Sequence, residues 1–130
     1  MSQQQANRPL SPHLQIYRWQ ISMLTSIAHR ASGIVLSLGS IFLAFWLIGA
    51  ASGPDAFAGI NGFAASWFGQ LLMFCWSFAL FYHLCNGVRH LVWDVGVGLD
   101  LETARMTGYV AIGVAAALTI FVWIWALIAA

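Results

Sequence analysis

The sequence predicts an all-α integral membrane protein with three transmembrane helices. Of its 130 residues, 61% are hydrophobic and 7% are charged, whereas about 25% of the residues of a soluble domain are charged. A water-soluble fold of this size would leave large apolar patches exposed to water. In addition, three uncharged runs each exceed the ~20 helical residues that cross a bilayer. We expect helices because the backbone polar groups of a segment in lipid need partners within that segment.

The three helices follow these runs in order. The first run covers residues 31–54, and we expect its helix over about 23–51. The second run covers 56–88, interrupted by His83, and predicts a helix over about 65–93. The third run, 106–130, predicts a helix over about 105–129. Residues 1–22 are expected to form a cytoplasmic segment, and residues 23–130 a membrane-anchor domain.

Two connections join these helices. The first contains SGPDAFAGING, which we interpret as a short turn-rich loop because glycine, proline and asparagine cluster in it. The second, DVGVGLDLETAR, carries most of the acidic residues.

Arginine placement predicts the orientation in the membrane. Arg8, Arg18 and Arg30 flank the start of the first helix, and Arg89 and Arg105 flank the second connection. The first connection and the C-terminal end contain neither arginine nor lysine. The positive-inside rule therefore places the N-terminus and second connection in the cytoplasm and the C-terminus in the periplasm. A net charge of +1 without a basic cluster gives no indication of nucleic-acid binding.

Ionisable residues gather near the end of the second helix. His83, Gly87, His90 and Asp94 are spaced i, i+4, i+7 and i+11, which places them on one helix face. Histidine is costly within the hydrocarbon unless it faces a cavity or a partner. Neutral imidazole can ligate haem iron, and Gly87 would let a flat macrocycle lie close to the backbone. The spacing fits equally well a histidine that is hydrogen-bonded to a neighbouring helix.

A matching polar face on the first helix contains Ser26, His29 and Arg30. Arg30 could pair with a haem propionate through two parallel hydrogen bonds, or it could extend to a lipid phosphate. Ser26 could donate to a ligand carbonyl oxygen, or it could bond to its own helix. The small residues of this face are interpreted as helix-packing contacts: Gly33, Ser37 and Ser40.

One intramembrane histidine is an incomplete site for six-coordinate haem. The second ligand would come from His29, from His90 or from another subunit. His83 and His90 lie on one face of one helix and cannot bind opposite sides of one iron. We therefore expect the second ligand from a different helix and from a partner chain.

The third helix is interpreted as a packing element. Cys75 and Cys85, separated by ~15 Å of helical rise, are too far apart for a disulfide.

Two long motifs carry a resemblance to a known family. NRPLSPHLQIYRWQISMLTSIAHRASG and HLCNGVRHLVWDVGVGL resemble the cytochrome b large-anchor subunits of succinate dehydrogenase (succinate–quinone oxidoreductase, respiratory complex II). The second motif corresponds to the family pattern H-x-x-x-G-x-R-H. With the three-span layout, the resemblance covers essentially the whole chain.

The resemblance implies a role for each matching residue. His83 corresponds to the axial ligand of haem b, and the other axial histidine comes from a small membrane-anchor subunit. His29, Arg30 and His90 correspond to residues near the haem propionates. Ser26 and Arg30 correspond to residues of the ubiquinone site, which the small anchor and the iron–sulfur subunit complete. Trp93 and Asp94 extend the match in a supporting role.

By the same resemblance, the chain is an enzyme subunit that is not catalytic alone. It has no glycine-rich nucleotide loop and no cysteine cluster, so flavin and clusters are expected in the flavoprotein and iron–sulfur subunits. The alternatives are a quinol–fumarate reductase anchor, a haem-free structural anchor and a small transporter. Because the N-terminal sequence lacks signal-peptide and transit-peptide patterns, we expect the bacterial inner membrane in preference to the mitochondrial one.

Overall fold

The described part of the chain consists of four α-helices and short connections. A computed structural model describes residues 16 and 18–129. The helices are α1 (Ile21–Ser52), α2 (Pro54–Ala65), α3 (Trp67–Asp94) and α4 (Leu101–Ala129). By length and composition, α1, α3 and α4 can each cross a membrane. The prediction of an all-α protein with three membrane-length helices is therefore confirmed, while most of the predicted segment 1–22 lies outside the described residues.

The connection between the first two long helices is itself a helix, so the prediction of a turn-rich loop was wrong. Gly53 ends α1 with a φ of 113°, a conformation that glycine adopts without the clash of a Cβ atom. Pro54 then occupies the first turn of α2, where its missing N–H leaves no internal helix bond unmade. Asp55 in the same turn complements the positive end of the helix dipole.

Packing against α1 explains why α2 remains helical despite its two glycines. Trp46 of α1 and Phe57 of α2 make an edge-to-face contact with 5.4 Å between ring centroids. A Cβ atom at Gly49 would lie only 2.6 Å from Cδ1 of Ile60, so the two helices approach closely there. Tertiary contacts of this kind override weak local helix propensity.

Short polar side chains cap the N-termini of α3 and α4. The Ser66 hydroxyl oxygen accepts a hydrogen bond from the Gly69 N–H at 3.1 Å and caps α3. At α4, the Thr103 N–H donates to Oδ2 of Asp100 at 2.9 Å. Hydrogen bonding by Thr103 lowers the pKa of the Asp100 carboxyl, which favours the negative form at the helix N-terminus.

The bundle is packed through small residues. Helix α3 packs against both α1 and α4, while large apolar side chains such as Phe45, Phe121 and Ile128 point outward. This distribution suits a lipid environment, where helices associate through small residues that let backbones approach. The buried face of α4 follows this rule: Ala104, Gly108, Ala111, Ala115 and Thr119.

Replacement of Ala115 by leucine should destabilise the bundle. Ala115 is 0% exposed, and overpacking of such a site typically costs about 1–3 kcal/mol. We expect a lower thermal unfolding midpoint of the assembled, detergent-solubilised complex. Ala117→Leu is the matched control, because Ala117 is exposed on the same helix; equal melting of both variants would contradict this packing.

Candidate functional site

Three imidazole rings form a column between α1 and α3. The rings of His29 and His83 are stacked, with centroids 3.9 Å apart and planes inclined by 14°. His90 lies on the other side of His29, with 5.3 Å between centroids and an angle of 16°. The column thus brings one histidine of α1 together with two histidines of α3.

Contacts with α1 indicate which ring nitrogen of neutral His83 carries the hydrogen. Its Nδ1 lies 3.2 Å from the carbonyl oxygen of His29 and 3.0 Å from the hydroxyl of Ser32. The Ser32 hydroxyl itself donates to the same carbonyl oxygen at 2.7 Å. Since a carbonyl oxygen only accepts, Nδ1 carries the hydrogen, and the lone pair of the neutral ring is on Nε2. His83 therefore presents Nε2 as a base or metal ligand.

Two glycines leave space for the rings of the histidine column. A Cβ atom at Gly33 would lie 3.3 Å from Cε1 of His83, which is tighter than ordinary contact. A Cβ atom at Gly87 would lie 3.9 Å from Cε1 of His29. Gly33, interpreted from sequence as a helix-packing residue, thus packs specifically against His83.

His29 and His90 differ in their hydrogen bonding. Nδ1 of His90 donates to the carbonyl oxygen of Asn86 at 2.7 Å, so Nε2 of its neutral ring carries the lone pair. Nδ1 of His29 is buried and has no hydrogen-bond partner among the described residues. A polar group from outside this chain would relieve the cost of that orphaned nitrogen.

Ser26 and Arg30 occupy the adjoining surface of α1. Arg30 is exposed and Ser26 is partly exposed. Within the described residues the Ser26 hydroxyl forms no hydrogen bond, whereas Ser37 and Ser40 bond to carbonyl oxygens of their own helix at 2.9 and 2.8 Å. The Ser26 hydroxyl is thus available to a ligand, as is the cation of Arg30 one helical turn away.

The predicted site residues therefore fall into two adjoining groups. His29 contacts both His83 and His90, and Ser26 and Arg30 lie on the same stretch of α1. Parallel rings direct their in-plane lone pairs side by side, and no group of three or more histidine, cysteine or acidic residues in 18–129 could hold a metal ion. Each histidine of the column can thus supply a single ligand. Asp94 is exposed at the end of α3.

Sequence reasoning missed Arg89, which it assigned to the membrane-edge charges. Arg89 is 7% exposed and bonds to side chains or backbone of α1, α3 and α4. Tyr82 and Asn86 are buried beside it. The spacing i, i+4 and i+7 of these three residues was the available signal, because it repeats the histidine spacing one position earlier in the chain.

Comparison with known proteins gave consistent matches. Residues 4–122 match the family described as succinate dehydrogenase/fumarate reductase transmembrane subunit. The chain is 41% identical over 120 residues to the succinate dehydrogenase cytochrome b556 subunit of Paracoccus denitrificans, covering 90% of this chain and 92% of that one. It is 38% identical over 117 residues to the b556 subunit of Rickettsia felis, covering 90% and 91% of the two chains. The cytochrome b560 subunit of Reclinomonas americana is 41% identical over 125 residues, covering 91% and 85%.

Loss of the Tyr82 hydroxyl should loosen the contact between α1 and α3. This hydroxyl donates to the carbonyl oxygen of Thr25 at 2.8 Å, and removal of one such bond costs about 0.5–1.5 kcal/mol. We expect Tyr82→Phe to lower the thermal unfolding midpoint of the detergent-solubilised complex. Tyr109→Phe, at an exposed tyrosine on α4, should leave it unchanged; an unchanged midpoint in Tyr82→Phe would contradict the assignment.

Proposed function

This chain belongs to the succinate dehydrogenase/fumarate reductase transmembrane subunit family, and on that premise we propose its detailed role. It is the cytochrome b subunit of a succinate dehydrogenase: it shares haem b with a partner subunit and helps to form the site of ubiquinone reduction. Its multi-pass membrane-anchor character follows from three membrane-length helices and from the family. The names of the relatives from Paracoccus and Rickettsia favour succinate oxidation over fumarate reduction.

The observation that carries the proposal is the anchored ring of His83. Its Nδ1–H is committed to Ser32 and to a backbone carbonyl of α1, so Nε2 is the ligating nitrogen. Iron-bound histidines commonly donate their other ring hydrogen to a carbonyl in this way. Haem, when bound, supplies a one-electron redox centre whose properties depend on its axial ligands.

A second ligand to the haem iron would come from another chain. His29 lies nearly parallel to His83, so their lone pairs do not point toward each other across one iron. His90 lies beyond His29 on the same column. The donor set thus fits a haem that receives one ligand from this chain. His29, Arg30 and His90 would lie near the haem propionates, and the orphaned Nδ1 of His29 is suited to an external polar group.

Ser26 and Arg30 line the quinone site. Reduction of a quinone adds two electrons and two protons, so its carbonyl oxygens need hydrogen-bond donors as negative charge develops. The Ser26 hydroxyl can donate one hydrogen bond, and the Arg30 cation can stabilise the developing charge. The small anchor and iron–sulfur subunits complete this site, and the flavoprotein oxidises succinate.

The charged end of the bundle faces the cytoplasm of a bacterial inner membrane. Among the described residues, Arg18, Arg30 and Arg105 lie at the end where α1 and α4 begin. Arg89 is buried but lies in the last turns of α3, beside the second connection; Arg8 lies outside the described residues. The positive charge at this end supports its cytoplasmic location by the positive-inside rule.

His83→Leu should abolish or shift the b-type α-band of the assembled complex, because leucine cannot ligate iron. The measurement is a dithionite-reduced minus oxidised spectrum of detergent-solubilised complex. Cys85→Ala is the control two residues along the same helix and should retain the band. A normal α-band in an assembled His83→Leu complex would exclude His83 as a ligand.

Ser26→Ala should raise the quinone KM or lower the quinone-dependent kcat by roughly two- to tenfold, the range expected for one lost hydrogen bond. Arg30→Leu should affect the same parameters. Succinate oxidation with a soluble dye should stay at the wild-type rate, because the dye bypasses the quinone site. Ser40→Ala is the matched serine control, since its hydroxyl is bonded to its own helix. Wild-type quinone kinetics in both Ser26→Ala and Arg30→Leu would defeat the quinone-site proposal.

A further inference from the structure

Arg89 connects three helices through its guanidinium group. Its Nε donates to Oγ1 of Thr107 at 3.0 Å. One terminal nitrogen donates to Oγ1 of Thr25 at 3.3 Å and to Oδ1 of Asn86 at 3.1 Å, and the other donates to the carbonyl oxygen of Ala104 at 2.6 Å. These partners lie on α4, α1, α3 and α4, respectively, so one side chain fixes the mutual positions of all three membrane-length helices.

Every oxygen that Arg89 contacts is formally neutral: two hydroxyls, one amide and one backbone carbonyl. The ring of Trp93 lies 3.9 Å from Cζ and adds a cation–π contact. A buried cation held by neutral groups is tolerated only while those groups stay in place, because loss of a partner leaves costly unsatisfied charge. The planar fork of arginine also demands a fixed geometry that lysine cannot reproduce.

The network acts on α1 next to the proposed quinone residues. Thr25 is 1% exposed, and its carbonyl oxygen accepts hydrogen bonds from Tyr82 at 2.8 Å and from Asn86 at 3.4 Å. Thr25 therefore contacts α3 through two groups. Its hydroxyl accepts a hydrogen bond from Arg89, and its carbonyl oxygen accepts from Tyr82 and Asn86. Ser26 is the next residue, and Arg30 follows one turn later.

We propose that Arg89 is a positioning residue for quinone reduction. By clamping Thr25, it holds the segment 26–30 of α1 in register with the histidines of α3, so that quinone meets its hydrogen-bond donors at the correct distance. Arg89 itself does not touch quinone. This inference rests on the proposed quinone site and adds a residue that acts on it from the interior of the bundle.

The sharpest test is a pair of threonine substitutions on α4 in the assembled complex. Thr107→Val keeps the side-chain shape but removes the acceptor of Arg89 Nε. Thr119→Val is the matched control, since Thr119 is 1% exposed and its hydroxyl bonds to Ala115 of its own helix at 2.8 Å. We expect Thr107→Val to raise the quinone KM roughly two- to thirtyfold, the range of coupling through packed networks, with dye-linked succinate oxidation unchanged. Thr119→Val should keep the wild-type KM.

Substitutions of Arg89 separate positioning from charge. Arg89→Lys keeps the positive charge but loses the planar, forked guanidinium group. The quinone KM of Arg89→Lys should therefore resemble that of Arg89→Gln. Full rescue by lysine, or a wild-type quinone KM in assembled Thr107→Val or Arg89→Gln complex, would overturn the inference. If Arg89 variants fail to assemble, the threonine pair decides.

The same preparations distinguish the inference from the function on which it rests. Altered quinone kinetics in Ser26→Ala together with normal kinetics in Thr107→Val overturn the inference alone. Normal kinetics in both Ser26→Ala and Arg30→Leu defeat the quinone site, and with it the inference.

Discussion

The cation of Arg89 must be satisfied inside a membrane-spanning helix, and the polar end of the bundle is arranged around that requirement. Water is absent from the hydrocarbon, so neutral oxygens from three helices take its place. The contact draws Thr25 of α1 and Thr107 of α4 toward α3. Once α1 is held there, the neighbouring face of α3 brings His83 and His90 against His29.

The two ends of the bundle have different chemistry. The end that contains the histidine column carries the hydrogen-bond networks between α1 and α3. Toward the opposite end, a cavity of about 350 Å³ between α1, α2 and α3 is lined by apolar residues and two glycines. Trp76 covers Gly39 there. Helices α1 and α2 contact each other at this end through aromatic rings. This division supports the proposed function, in which quinone is reduced at one end of the bundle and the other end provides only packing.

The fold class and the shared helix face of the α3 histidines could be predicted from the sequence, because helix period and membrane length are local properties of the chain. The spacing of His83 and His90 predicted a shared helix face. Their contact with His29 could not be predicted from spacing, since it depends on the relative rotation of α1 and α3. Helix α2 was missed because its glycines and Pro54 are local turn signals, whereas its contacts with Gly49 and Trp46 are tertiary. The burial of Arg89 was missed for a similar reason: its hydrogen-bond partners come largely from helices that the sequence does not position.

The buried arginine also bears on how the chain enters the membrane. The 18-residue window by which α3 qualifies as a membrane span has a mean hydropathy of 1.5, against 2.3 for the window of α1 and 2.4 for that of α4. An arginine at the centre of an inserting helix opposes partition by about 2.5–3.5 kcal/mol on translocon scales. Arg89 lies five residues before the end of α3 and therefore opposes it by less. During synthesis α1 emerges before α3, so Thr25 is in place to accept hydrogen bonds as α3 arrives, whereas Thr107 emerges last. Biogenesis of α3 is thereby linked to α1, and partition of these helices as a pair is more favourable than partition of α3 alone.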